Sequence, residues 1–303
     1  MSGQHHHAGP THRGRLAIAF AITASILVVE VTGAFVTGSL ALLVDAGHML
    51  TDAGGLLIAL MAASLMVRPH TPRRTWGYLR MEVLAAGAQA AILLAVGIYA
   101  LVEGVQRLFA PPEVNAEGLL IFGTIGLLGN IASMLVLSAG RNANLNLRAA
   151  FLEVVNDALG SVAVIASAVV IATTGWTQAD ALAAMLIALL IVPRTIKILR
   201  EAGSILLETV PKGLDLEDVR QHILEVPHVL AVHDLHASRI SSNIPVLSAH
   251  VVIEDSCFVD GHAPQVLDQL QRCVAEHFVV SVEHSTFQLE TAGHLKHEHP
   301  AHD

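Results

Sequence analysis

Apolar residues fall into six long blocks over the first two thirds of the chain, then into short helical or alternating patterns. The blocks lie near residues 16–36, 40–66, 82–108, 117–138, 149–173 and 179–199, and each is long enough to cross a bilayer as a helix. The first is too long for a signal-peptide core and runs straight into further spans, so it is expected to stay in the mature protein. From about Thr209 polar residues return. LDLEDVRQHILEV has helical period, VLAVHDLHA and PVLSAHVVIE alternate as strands, APQVLDQLQRCVAEHF is helical again, and SVEHSTFQLE is a third strand. The pattern predicts an α-helical membrane protein of six transmembrane helices followed by a small cytosolic α/β domain of order αββαβ. The expected organisation is a His-containing tail over 1–14, the membrane domain over 15–208, the cytosolic domain over 209–290 and a His-rich tail over 291–303.

Composition supports a lipid environment. Of 303 residues 53% are hydrophobic and 14% charged, whereas soluble domains carry roughly a quarter charged residues. Acidic residues outnumber basic ones by 26 to 17, and the basic ones are dispersed, which excludes a nucleic-acid partner. Cys257 and Cys273 have neither metal-type spacing nor a disulfide framework and read as reduced thiols. Histidine is the outlier: of 18, four lie in residues 1–12, twelve lie beyond residue 220, and only His48 and His70 fall between.

Charge in the linkers sets the orientation. Arg13 and Arg15, then Arg68, Arg73, Arg74 and Arg80, then Arg141 and Arg148, then Arg194, Lys197 and Arg200 all fall on one side of a six-span arrangement. The opposite linkers contain no Lys or Arg, and only Arg107 approaches them. Both termini are therefore expected in the cytoplasm, with the protein multi-pass in the inner membrane. Trp76 and Tyr78 suit the interfacial belt at the start of the third span.

The candidate chemistry sits inside the spans. Asp45, His48 and Asp52 share one helical face within an arc of about 60°. Glu153 and Asp157, four apart, share a face of the fifth span. An ionisable group at membrane depth costs at least ~2.5 kcal/mol on insertion scales, so such groups face the interior and find partners there. His48, Asp52, Glu153 and Asp157 can make a four-donor site for a divalent ion, with Asp45 and Asn156 as supporting groups and Asn130 as an interhelical hydrogen bond that braces it. The competing reading is an ion pair between the helices without metal.

These same segments carry a resemblance. SLALLVDAGHMLTDAGGL, TWGYLRMEVLAA and NLRAAFLEVVNDALGSVAVI resemble the second-, third- and fifth-helix motifs of the cation diffusion facilitators, and VHDLH, LSAHVVI and EHSTFQLE resemble strands of their cytosolic domain in the bacterial zinc-exporting branch. The resemblance implies a homodimer with a ferredoxin-like metal-binding and dimerisation domain. It also implies alternating-access exchange of metal for protons, and transport ligands at His48, Asp52, Glu153 and Asp157. Glu153 stands where zinc-exporting relatives usually have His. In the cytosolic domain the resemblance implies Zn²⁺ ligands at His233, His250 and His284, while Thr286 stands where some relatives place an acid.

The expected function is export of a divalent cation, Zn²⁺ first, by metal/proton antiport rather than by an enzyme. The alternatives are an intramembrane zinc-dependent hydrolase and a membrane metal sensor without flux. The hydrolase reading lacks an HExxH helix or a nucleophile motif.

Overall fold

The computed structural model describes residues 10–66, 71–138 and 145–294, with side chains described for 18–51, 53–54, 71–138 and 151–294. Six long helices come first: α1 (Pro10–Thr37), α2 (Leu40–Met66), α3 (Met81–Phe109), α4 (Ala116–Ser138), α5 (Leu145–Thr174) and α6 (Gln178–Leu206). Among the described residues, five of them are long and apolar enough to span a membrane, and the described apolar part of α2 is Leu40–Thr51. Helix α6 runs on to Leu206, past the predicted end near 199, because its polar continuation still turns Ala202 and Ile205 inward against Val83.

Two compact units result, one of residues 1–60 and 88–199, the other of 61–87 and 200–303. In the first, α4 packs against α1 and α5. Leu40, Leu42 and Val44 of α2 pack in one core with Leu119, Val164, Ile171 and Ile187. Large apolar side chains such as Val28, Leu128, Leu135 and Leu190 point outward, as lipid-facing positions do.

The α1–α2 corner fixes where α2 begins. Gly38 adopts φ 71°, the left-handed conformation that ends a helix most readily at glycine, and its N–H bonds the Ala34 carbonyl at 3.0 Å. Ser39 then caps α2, its Oγ accepting from the Leu42 N–H at 3.1 Å. Asp180 of α6 adds a carboxylate at the same helix start, accepting from the Leu40 N–H at 2.6 Å and from the Ser39 hydroxyl. A negative group there satisfies orphan N–H donors and complements the helix dipole. Arg107 of α3 donates to the Gly38 carbonyl at 2.8 Å and to Glu103 at 2.9 Å.

The second unit contains α7 (Leu216–Leu224), β1 (Val229–Ser241), β2 (Ile244–Ile253), the single turn α8 (Cys257–Asp260), α9 (Ala263–Glu276) and β3 (His284–Glu290). Apart from α8, this is the predicted αββαβ order. Asp215 caps α7 by accepting from the Glu217 N–H at 2.9 Å. The sheet order is β1-β2-β3, with β1 antiparallel to β2 and β2 parallel to β3. A parallel neighbour requires a long crossover, which α8 and α9 supply. The apolar faces of α7 (Val219, Ile223) and α9 (Leu270, Val274) close over Val251 and Phe287 of the sheet.

Trp76 and Tyr78 are engaged by protein groups. Trp76 stands edge-on to His284 at 5.6 Å, and the Arg74 guanidinium lies 4.6 Å over the Tyr78 ring. Glu82 accepts from the Ser242 hydroxyl at 2.6 Å, and Arg80 pairs with Glu208 at 2.7 Å.

Candidate functional site

The charged positions of α2 and α5 face one another. His48 Nε2 lies 3.7 Å from Asp157 Oδ1 and 3.9 Å from Glu153 Oε1. Two donors on one tetrahedral ion with bonds near 2.0–2.2 Å stand roughly 3.3–3.6 Å apart, so a few tenths of an ångström separate this arrangement from ligation. His48 and Asp157 are buried, and Glu153 is partly exposed. The Asp52 side chain lies outside the described residues.

Glu153 has a second partner. Arg194 of α6 grips it with both ends of its guanidinium, Nη1 to Oε1 at 2.9 Å and Nη2 to Oε2 at 2.8 Å. This carboxylate therefore arrives with a counter-charge. Sequence reasoning placed Arg194 only among the linker charges, because a basic residue near a span end looks like any other flanking Arg.

Further buried polar side chains lie on the helices around these groups. Asp45 is buried beside Gly160 of α5, where a Cβ would stand 2.8 Å from its Oδ1. Glu30 of α1 is buried in the same way beside Gly126 of α4, where a Cβ would stand 2.7 Å from its Oε1. Each glycine leaves the space its carboxylate occupies. Glu30 lies within electrostatic reach of both Asp45 and Asp157. Asn130 donates to Ser161 Oγ at 3.2 Å, tying α4 to α5. Glu30 Oε2, Asp45 Oδ2, Asn130 Oδ1 and Ser133 Oγ are buried without a hydrogen-bond partner among the described residues, which suits groups that receive a cation or water. Asn156 is exposed, about 100° round α5 from Asp157, and stands outside this group. Glu30 went unremarked in the sequence, although a lone carboxylate in an apolar block is the same signal that marked Asp45.

In the C-terminal α/β domain β1–β2 register sets His233 directly opposite His250, with ring centroids 5.1 Å apart. Glu290, at the end of β3, is buried and supplies the third group: its Oε2 lies 3.3 Å from His233 Nε2 and its Oε1 lies 2.8 Å from His250 Nδ1. The ligand atoms of these three lie within 4.8 Å of one another. Two imidazoles and a carboxylate match the donor preference of zinc. His284 is not brought into this cluster. It pairs with Val246, four residues along β2 from His250 and so roughly 13 Å away, against Trp76.

The chain matches two family models, the cation efflux transmembrane domain over residues 16–207 and the cation efflux protein cytoplasmic domain over 211–292. It is 42% identical over 288 residues to the metal cation efflux system protein CzcD of Cupriavidus metallidurans, covering 95% of this chain and 89% of that one. It is 39% identical over 278 residues to the zinc transporter ZitB of Escherichia coli, covering 91% and 87%. With a cadmium, cobalt and zinc/H(+)-K(+) antiporter of Bacillus subtilis it shares 34% over 292 residues, covering 96% and 93%. Facing acid and imidazole pairs on two apolar helices, a separate α/β domain and similarity along nearly the whole length lead to one conclusion: the chain belongs to the cation efflux family, the cation diffusion facilitators its motifs resemble.

Proposed function

We propose that the protein exports a divalent metal cation from the cytoplasm, Zn²⁺ first, in exchange for protons, and that His48, Asp52, Glu153 and Asp157 hold the ion in transit. The approach of His48 to Glu153 and Asp157 inside the spans carries this reading. A cation arriving among these groups offsets their desolvation, and protons and metal compete for the same oxygens and nitrogen. The relatives named for zinc and for exchange with H⁺ support the choice of cargo and coupling.

In this reading residues 15–208 form the transport domain and 209–290 a cytosolic domain that dimerises. Zn²⁺ held by His233, His250 and Glu290 would bias that domain toward its associated form, because an ion bound only to one state adds its binding free energy to it. The basic linkers support an orientation with both termini in the cytoplasm. Zinc uptake into proteoliposomes, with and without an imposed pH gradient, tests the proposal. Uptake should rise when the compartment receiving metal is acidic, and uptake indifferent to the gradient would rule out proton antiport.

A further inference from the structure

The cytosolic domain carries a second cluster of metal-ligating groups, at the open end of the β1–β2 hairpin. His228 precedes β1, Glu254 follows β2, and Cys257 opens α8. Backbone bonds hold the three segments together: the Glu254 N–H donates to the His228 carbonyl and the Cys257 N–H to the Glu254 carbonyl, both at 3.0 Å. His228 adopts φ 70°, a left-handed conformation uncommon outside glycine. His228 Nδ1 lies 3.0 Å from Glu254 Oε2. One donor atom from each of His228, Glu254 and Cys257 lies within 4.8 Å of the other two. The cluster is four to five residues along the strands from the His233–His250 pair, roughly 13–16 Å away, so one ion cannot serve both.

We propose that His228, Glu254 and Cys257 form a separate binding site for a thiophilic divalent cation, Zn²⁺ or Cd²⁺, on the cytosolic domain. Imidazole, carboxylate and thiolate together suit zinc, and the thiolate selects against hard ions such as Mg²⁺. Tetrahedral ligation with sulfur brings donors to roughly 3.3–3.8 Å, so side-chain rotation closes the remaining gap. The fourth position is left to water or to His262. That ring lies 5.4 Å from His228, and its Nδ1 is held at 2.8 Å by Asp260, the arrangement that orients a metal-binding imidazole. Burial pushes the Cys257 thiol up, and the carboxylates of Asp260 and Glu254 push it further. A divalent cation reverses that balance, since a coordinating thiol loses its proton to the metal.

The test uses Co²⁺ as the probe on the full-length protein in detergent. Cys257 and Cys273 are the two thiols of the chain, so a near-ultraviolet sulfur-to-cobalt charge-transfer band has two sources to choose between. The band should appear on titration and be displaced by Zn²⁺. It should persist in Cys273→Ser and in His48→Ala, and vanish in Cys257→Ser. Since Cys257 is a core position, the exposed His228→Ala and Glu254→Gln supply independent readings, each weakening the cobalt affinity reported by the band about tenfold or more. No band in the wild type, a band that survives Cys257→Ser, or unchanged affinity in both exposed variants would overturn the site.

Discussion

Arg194 holds both carboxylate oxygens of Glu153, at 2.8 and 2.9 Å, while Oε1 of the same carboxylate lies 3.9 Å from His48. The guanidinium therefore occupies lone pairs that an arriving cation would use. With Arg194 about half exposed, the pair is worth on the order of 1 kcal/mol or less. Arg194→Ala should lower the KM for zinc by up to about fivefold and slow turnover, because the ion is then held without a competitor at release. Initial rates of zinc uptake across a concentration series give both constants, and an unchanged KM would mean that Glu153 does not meet the ion.

Exchanging the Glu153 carboxylate for an imidazole tests selectivity. Glu153→His replaces an oxygen donor with one that favours zinc over Mn²⁺, yet leaves Arg194 facing an imidazole that offers it no charge. The ratio of Zn²⁺ to Mn²⁺ transport should rise, and rise further when Arg194→Ala is combined with it. Competition of the two ions for uptake measures this. A ratio equal to wild type in both variants would remove Glu153 from the specificity determinants.

Asp157 is buried beside His48, so its loss leaves His48 and Glu153 with a deficient site rather than a rearranged one. Asp157→Ala, and equally Asp52→Ala, should bring metal flux to background while the protein still inserts and elutes as a folded species. Wild-type flux in either variant would place the transported ion elsewhere.

Glu30 is buried within electrostatic reach of Asp45 and Asp157 and has an oxygen unpartnered among the described residues. Glu30→Gln keeps the shape that Gly126 accommodates and removes an ionisable group from among the buried carboxylates. Thermal stability should stay close to wild type, because an amide of the same size replaces a buried carboxyl, and transport should fall. Thermal unfolding in detergent beside flux in vesicles reads both, and a destabilised variant with normal flux would make Glu30 a purely structural group.

The cytosolic cluster separates two ligand sets. Glu290→Gln should weaken zinc binding at His233 and His250 about tenfold or more, whereas His284→Ala should leave it close to wild type. Chelator competition on the full-length protein carrying His48→Ala together with His228→Ala separates this binding from the other two proposed sites. The reverse order of effects would mean that His284 reaches the ion through a rearrangement of β3.

Much of this architecture is legible in the chain because it depends on local periodicity. The apolar blocks give α1 to α6, and the alternation in VLAVHDLHA and PVLSAHVVIE gives β1 and β2. His48, Glu153 and Asp157 stand out because a charge inside an apolar block is costly wherever its partner lies. Partners set by tertiary geometry are another matter. The register of β3 against β2 brings Glu290 to the two histidines and leaves His284 four residues away, and no spacing along the chain encodes that register. Arg194 reads as an ordinary flanking cation until α6 is seen beside α5.

Helix α6 thus holds both ligand-bearing helices, α2 through Asp180 at its start and α5 through Arg194 fourteen residues, roughly 21 Å, further along. Pro193 immediately precedes Arg194, and with no N–H to offer the Leu189 carbonyl it makes this the most easily bent turn of α6. A strut jointed beside one of its two attachments lets the distal end stay locked to α2 while the other end swings. Any flexing of α6 is therefore concentrated at Pro193, beside the grip on Glu153, and leaves the α2–α6 junction a single rigid piece.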